Sequence, residues 1–155
     1  MAYKIVEKGQ LRFIGKKVSL GPDVETAMVE IPKFWQKLST EGYLEKLFPL
    51  IQPEFPAVYG ISISENIDQK QWEYMIGIQS DQKLSGFDEY YLPAAKWAIF
   101  DGTGEMPKGI QELNKQIYTE WLPTSGFEYA NLPVLEAYLN NDPIHSEFQV
   151  WFPVK

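Results

Sequence analysis

The sequence predicts one α+β domain built from two β-α-β-β units, with antiparallel sheets and the helices on their outside. The length of 155 residues is that of an ordinary single domain. Segments typical of strand, helix, strand and strand follow one another in that order twice. Similar residues also recur at a spacing of 75 residues, as Pro32-Lys33 and Pro107-Lys108 do. A repeat of this length indicates a duplicated supersecondary unit, with halves at about 1–80 and 90–155.

The first half opens with a predicted strand and helix. Leu11 to Leu20 has a strand pattern that ends at Gly21-Pro22. A helical stretch begins at Pro32, because proline is favoured at the first helical position. Gly42 interrupts this stretch and favours two short helices. The proline-rich run from Pro49 to Pro56 is predicted to be a connector.

Two further strands complete the first half. Ala57 to Ser64 and Trp72 to Ser80 are rich in β-branched and aromatic residues, as strands are. The polar residues from Glu65 to Gln71 between them are predicted to form a hairpin loop. Asp81 to Glu89 is a second polar stretch and is predicted to be a connector.

The second half repeats this order. Leu92 to Phe100 is a predicted strand, and Pro107 to Trp121 is the clearest helix, closed near Gly126. The last two strands are predicted at Val134 to Leu139 and at Phe148 to Val154. The apolar stripe of the helix predicts the residues that face the core, which are Ile110, Leu113, Ile117 and Trp121.

The predicted strands carry apolar residues on both faces, as Tyr59 to Ile63 illustrates. One helix can cover only one face of a small sheet, so the other face must contact the second half or a ligand. We therefore expect a ligand pocket between the halves. The content of five Trp, nine Tyr and nine Phe supports an aromatic lining for it, although aromatic residues also serve as core. Trp35, Tyr118 and Trp121 are interpreted as core residues on helix faces.

The composition excludes several classes of site. There is no cysteine and one histidine, His145, which lies in a turn-rich loop. Disulfides and thiolate metal sites are therefore excluded. One histidine is also too few for a typical zinc centre, and a histidine triad would have to use His145 itself. We expect no metal and no cofactor.

The charge and the hydropathy pattern set expectations about partners and location. The formal charge of −7 disfavours direct binding to nucleic acid, because like charges repel. No run approaches the roughly 20 apolar residues of a membrane span, and no signal peptide precedes Leu11. A cytoplasmic protein that does not contact membranes is expected.

Glu136 is the residue that does not fit its pattern. It lies within the strand VLEAYL, among apolar residues on both faces, and the 75-residue spacing aligns it with Ile61. Burying a carboxylate costs several kcal/mol unless it is paired, hydrogen-bonded or protonated. Glu136 is therefore either a functional group or a residue of an edge strand that reaches water.

Several motifs resemble the GyrI-like domain, also called the AraC-type effector-binding domain. In the second half these are KWAIF, the Met-Pro helix start, EWLPTSGFE and PVLEAY. In the first half they are IPKFWQKL, AVYGIS and YMIGI. The resemblance covers nearly the whole chain. It implies two β-α-β-β units related by a pseudo-twofold axis, which agrees with the repeat.

The resemblance also implies a function and a site. Family members bind small cationic or aromatic compounds in a hydrophobic pocket with a central glutamate, and Glu136 stands at that position. A helix-turn-helix domain accompanies many members, but the residues before Leu11 are too few to hold one, so direct transcription regulation is not expected. The expected ligand-binding residues are Glu136, Tyr138, Tyr59, Tyr74, Trp97, Trp151 and Trp35.

Three functions remain open from the sequence. The first is binding of a lipophilic drug or toxin for sensing or sequestration, without catalysis. The second is hydrolysis of cyclopropane-containing toxins, with Glu136 as the general base. The third is an acidic protein-interaction module that modulates a DNA-binding enzyme, with an unknown protein partner.

Overall fold

The computed structural model describes residues 1–20, 24–66 and 71–155. Gly21-Pro22 and most of the predicted loop from Glu65 to Gln71 lie outside these ranges. In chain order the elements are β1 (Tyr3–Lys8), β2 (Leu11–Leu20), α1 (Val24–Thr40), α2 (Tyr43–Leu47), β3 (Val58–Asn66), β4 (Gln71–Gln79), β5 (Asp88–Leu92), β6 (Ala95–Gly104), α3 (Lys108–Gln116), α4 (Leu122–Ser125), β7 (Leu135–Tyr138) and β8 (Ser146–Val154).

The chain forms two compact units. Unit 1 consists of Met1–Leu11 and Leu92–Lys155, and unit 2 consists of Arg12–Tyr91. The first strand therefore joins the second half of the sequence, so the units differ from the expected division at about 1–80 and 90–155.

Unit 1 contains four antiparallel strands in the order β1-β6-β8-β7. The helix α3 packs against one face of this sheet and continues through a π-helical turn at Ile117–Trp121 into α4. The predicted stripe is confirmed, because its four residues are buried against β6 and β8. The core of this face comprises Ala98, Phe100, Ile110, Leu113, Ile117, Trp121, Phe148, Val150, Phe152 and Val154.

Unit 2 contains strands in the order β3-β4-β2-β5, and α1 covers one face. Ala27, Phe34 and Leu38 of α1 pack against Tyr74 and Ile76 of β4. Together the units confirm an α+β fold of antiparallel strands with a helix against one face of each sheet.

Helix α1 begins earlier than the sequence predicts. Pro32 lies inside the helix rather than at its first position. A proline there removes one backbone hydrogen bond, which normally favours ending the helix. Burial of Ala27 before Pro32 and of Phe34 after it stabilises helix on both sides, so tertiary packing outweighs the local preference. The predicted break at Gly42 is confirmed, since Gly42 has a φ of 80° between α1 and α2.

Two strands were not predicted. β1 is mostly exposed and mixes charged and apolar residues, so its pattern is weak. β5 begins at Asp88, in the last two residues of the predicted polar connector, and ends at Leu92. The predicted strand from Leu92 to Phe100 is therefore divided, and β6 begins only at Ala95.

Close backbone approach in unit 2 depends on a pair of glycines. Gly15 of β2 lies opposite Gly77 of β4, and a Cβ atom on Gly15 would overlap the carbonyl oxygen of Ile76. Backbone atoms within a paired sheet cannot move aside as the end of a long side chain can.

We expect Gly15→Ala to lower the free energy of unfolding by about 1–3 kcal/mol, the usual cost of overpacking. Gly9→Ala is the matched control, because no atom lies within 4 Å of its added Cβ. Urea denaturation of both variants measures the difference. Equal stability of the two variants would contradict this steric account.

Candidate functional site

Strand β7 directs Glu136 and Tyr138 toward the helix-covered face of unit 1. In the antiparallel register Glu136 lies opposite Val150 and Tyr138 lies opposite Phe148. Directly opposite residues share a face, and both partners belong to the core beneath α3. The carboxylate therefore lies on the apolar side of the sheet.

Burial dominates the electrostatics of Glu136. It raises the pKa of the carboxyl, while a hydrogen bond from the Tyr138 hydroxyl to Oε2, at 2.7 Å, lowers the pKa by less. The residue nevertheless keeps part of its surface exposed. Glu136 is thus a poorly solvated acid on a residue that is not fully enclosed.

Tyr118 lies close enough to interact with the Glu136 charge, and Tyr129 lies close to Tyr118. The Tyr118 and Tyr129 rings contact Phe152, with centroid distances of 5.3 Å and 5.4 Å. Burial raises the pKa of Tyr118, and the charges of Tyr129 and Glu136 raise it further. The Tyr129 hydroxyl donates to the carbonyl oxygen of Leu132 at 2.6 Å, which fixes its ring.

Tyr118 was interpreted as a core residue from the sequence, and this was wrong. It lies in the π-helical turn, off the stripe that ends in Ile117 and Trp121, and its side chain is 51% exposed. An aromatic residue outside the apolar stripe of its own helix was the signal in the sequence. Trp121 is buried, as expected of a core residue.

Trp97 and Trp151 lie on the opposite face of the unit 1 sheet. Trp151 pairs with Ile99, whereas Phe100 and Val150 pair on the helix side. The two indole rings contact each other edge to face at 6.1 Å, and Trp151 Nε1 donates to Gln149 Oε1 at 3.0 Å. The structure brings these two tryptophans together, on the other side of the sheet from Glu136.

The remaining predicted residues belong to unit 2. Trp35 Nε1 donates to the Tyr74 hydroxyl at 3.0 Å on the helix side of that sheet. Tyr59 lies on the other face, where its hydroxyl accepts a hydrogen bond from Gln79 Nε2 at 2.7 Å. Burial raises the pKa of Tyr59 to about 12. Within unit 1, then, Glu136 and Tyr138 share a face that Tyr118 also approaches.

Glu136 does not line either of two surface depressions of unit 1. A depression of about 460 Å³ lies between the end of β1 and the start of β6, and a smaller one of about 220 Å³ lies between β6 and α3. Among the described residues, no cluster of His, Asp and Glu is arranged to hold a metal ion. No helix in the described ranges is long and apolar enough to cross a membrane.

The antiparallel α+β fold is that of a class of small-molecule-binding domains, which the comparison with known families identifies. The chain matches the GyrI-like small molecule binding domain over residues 1–155 and belongs to that family. A search of curated proteins finds no match.

Solved structures share the fold at low sequence identity. The structure of SAV2435 bound to tetraphenylphosphonium has a TM-score of 0.89 and 23% identity, covering 100% of this chain and 94% of that one. A putative transcription regulation protein from Staphylococcus aureus MU50 has a TM-score of 0.87 and 22% identity, covering 100% and 99%. A hydrolase from Listeria innocua has a TM-score of 0.53 and 14% identity, covering 99% and 91%.

The raised pKa of Glu136 predicts a specific pH dependence of stability. Above pH 4.5, the ordinary pKa of a glutamate, the unfolded state has released this proton while the folded state still holds it. Stability should therefore fall as the pH rises through the interval between 4.5 and the raised value. We expect Glu136→Gln to remove this loss, raising Tm by a few degrees at neutral pH and leaving it unchanged in acid.

Calorimetry of the wild type and Glu136→Gln across this pH interval tests the expectation. Glu120→Gln is the matched control, because Glu120 is an exposed acid on the neighbouring π-helical turn. A Glu136→Gln variant that is less stable than the wild type at neutral pH would identify Glu136 as a structural partner instead.

Proposed function

We propose that this protein binds lipophilic organic cations and thereby senses or sequesters them, with Glu136 as the negative charge that the ligand meets. The single observation that carries the proposal is a poorly solvated carboxyl group on an apolar face, on a residue that is not fully enclosed. The binding of tetraphenylphosphonium by SAV2435, a protein of the same fold, supports the choice of ligand class.

The chemistry of Glu136 favours a cation with little hydration. Burial disfavours the ionised carboxyl, so a positive charge brought near it stabilises the ionised form and releases the proton. A small hydrated ion would lose its water shell at a high cost, whereas a lipophilic cation loses little. Ligand affinity should accordingly weaken as the pH falls.

Aromatic rings add a second attraction for positive charge. The face of a tyrosine ring attracts a cation by about 0.5–2 kcal/mol, depending on how far water is excluded. Tyr118 and Tyr129 stand beside Phe152 and are close enough to Glu136 or to each other for their charges to interact. The expected complex therefore places the cation between the carboxylate and these rings.

A neutral analogue separates charge from shape. We expect Glu136→Gln to weaken tetraphenylphosphonium binding by about 1–3 kcal/mol, the value of a charge-assisted contact. Triphenylphosphine oxide, which is neutral and similarly aromatic, should lose much less. Isothermal titration calorimetry, with tryptophan fluorescence as a second readout, measures both ligands. Equal losses for the two compounds would refute the role of the charge, and Glu120→Gln should change neither affinity.

Tyr118 gives a test of the aromatic contribution. We expect Tyr118→Leu to lower the affinity for tetraphenylphosphonium by about 0.5–2 kcal/mol and Tyr118→Phe to retain most of it, because the ring face supplies the attraction. Tyr91→Leu is the matched control, since Tyr91 is equally exposed at 50% and belongs to unit 2. If Tyr118→Phe binds as weakly as Tyr118→Leu, the hydroxyl rather than the ring is responsible.

Hydrolysis is the second candidate, because a carboxyl group with a raised pKa, on a residue that is not fully enclosed, also suits a general base. Glu136 would take a proton from the attacking water while the water oxygen bonds to a carbon of the three-membered ring. The C–C bond of the ring breaks, and the carbon that keeps its electron pair then receives the proton from Glu136. A cyclopropane-containing electrophile incubated with the purified protein tests this. Turnover that Glu136→Gln abolishes without weakening substrate binding would establish catalysis, and binding without turnover supports the sensing or sequestering role.

A further inference from the structure

The two units place different residues at equivalent positions of their sheets. In unit 1 Glu136 lies opposite Val150, and in unit 2 Gly60 lies opposite Ile76. Val150 and Ile76 both belong to the cores beneath the helices. Gly60 is therefore the counterpart of Glu136 when Ile76 is matched with Val150.

The spacing of 75 residues, which aligns Glu136 with Ile61, is wrong by one residue along this strand. Ile61 pairs with Met75 on the opposite face of the sheet. A shift of one residue in a strand exchanges the two faces, so the alignment compared residues on different sides. Ser62 is likewise the counterpart of Tyr138. Ser62 pairs with Tyr74 in unit 2, and Tyr138 pairs with Phe148 in unit 1.

The space beside Gly60 is already filled. A Cβ atom on Gly60 would overlap the Tyr74 hydroxyl oxygen and would lie 3.5 Å from the Trp35 ring. The Trp35 indole N–H donates to that hydroxyl at 3.0 Å, and the Tyr74 side chain is only 2% exposed. A tyrosine thus takes the place where unit 1 holds its glutamate.

We propose that unit 2 contains a closed counterpart of the Glu136 site, filled by the chain's own Tyr74 and suited to a neutral phenol rather than a cation. One polar contact of this site is the indole N–H of Trp35, which donates to a hydroxyl oxygen. Its walls are apolar residues of α1 and β4, among them Phe34, Leu38 and Ile76. In the unmodified protein this site is occupied by the chain itself.

A double-mutant cycle tests whether Tyr74 fills the space at Gly60. Gly60→Ala should lower Tm by several degrees in the wild-type background and by clearly less in Tyr74→Phe, which lacks the overlapping oxygen. Gly9→Ala, where no atom lies within 4 Å, should cost the same in both backgrounds. An equal cost of Gly60→Ala in the two backgrounds would overturn the proposal.

Opening the site tests its ligand class. Adding p-cresol should raise the Tm of Tyr74→Ala more than adding toluene does, because a ligand that binds only the folded state stabilises that state. The additional substitution Trp35→Phe should remove the preference for p-cresol, and exposed Tyr91→Ala should respond to neither compound. Equal effects of both compounds, or no effect, would overturn the proposed class.

The two experiments remain informative if one variant is too unstable. The cycle retains the aromatic ring at position 74. It therefore tests whether Tyr74 fills the space at Gly60 even if Tyr74→Ala does not fold. Neither experiment uses a cation or alters Glu136, and their outcome is therefore independent of whether tetraphenylphosphonium binds to unit 1.

Discussion

The pairing of β7 with β8 is the constraint on which the candidate site depends. Because side chains alternate along a strand, the alignment of Glu136 with Val150 commits the carboxylate to the helix-covered face. A slip of one residue would turn Leu135 and Ala137 toward the helix and place Glu136 on the side of Trp151. Both leucine and alanine would satisfy the core better. The backbone register thus holds an ionisable group where packing alone would not place one.

The surroundings compensate only part of the cost of this placement. Tyr138 donates one hydrogen bond to Oε2, yet burial still raises the pKa of the carboxyl. Ring faces nearby are electron-rich, so Tyr118 and Phe152 do not stabilise an anion either. A positively charged, poorly hydrated ligand is the partner that both the carboxylate and the rings would favour.

The sequence predicted the buried elements well and the exposed ones poorly. Strand β2 was predicted with its observed bounds, and the α3 stripe was predicted residue by residue, because burial imposes a period on the sequence. β1 is mostly exposed and so carries little pattern, and β5 has only two buried residues, Tyr90 and Leu92. Glu136 was visible as a charge in an apolar strand. The exposure of Tyr118 could have been read from the same pattern, because this residue falls outside the stripe that contains Ile117 and Trp121.

The faces of individual aromatic residues could not be predicted from spacing, since a shift of one residue in the register exchanges the two faces.

The same rule explains how a duplicated sheet can hold two different environments. Gly60 leaves room above its strand, and that room admits the Tyr74 side chain from the neighbouring strand. Glu136 fills the equivalent position with its own side chain, and there the neighbouring strand supplies Phe148, whose ring has no polar atom. Tyr138, rather than an indole, then provides the hydrogen bond. The divergence therefore requires coordinated changes at two neighbouring strands, because any side chain at position 60 would overlap the Tyr74 hydroxyl. Packing couples the identity of the central residue to that of its neighbour, so the charge in unit 1 and the filled space in unit 2 are two solutions of the same steric problem.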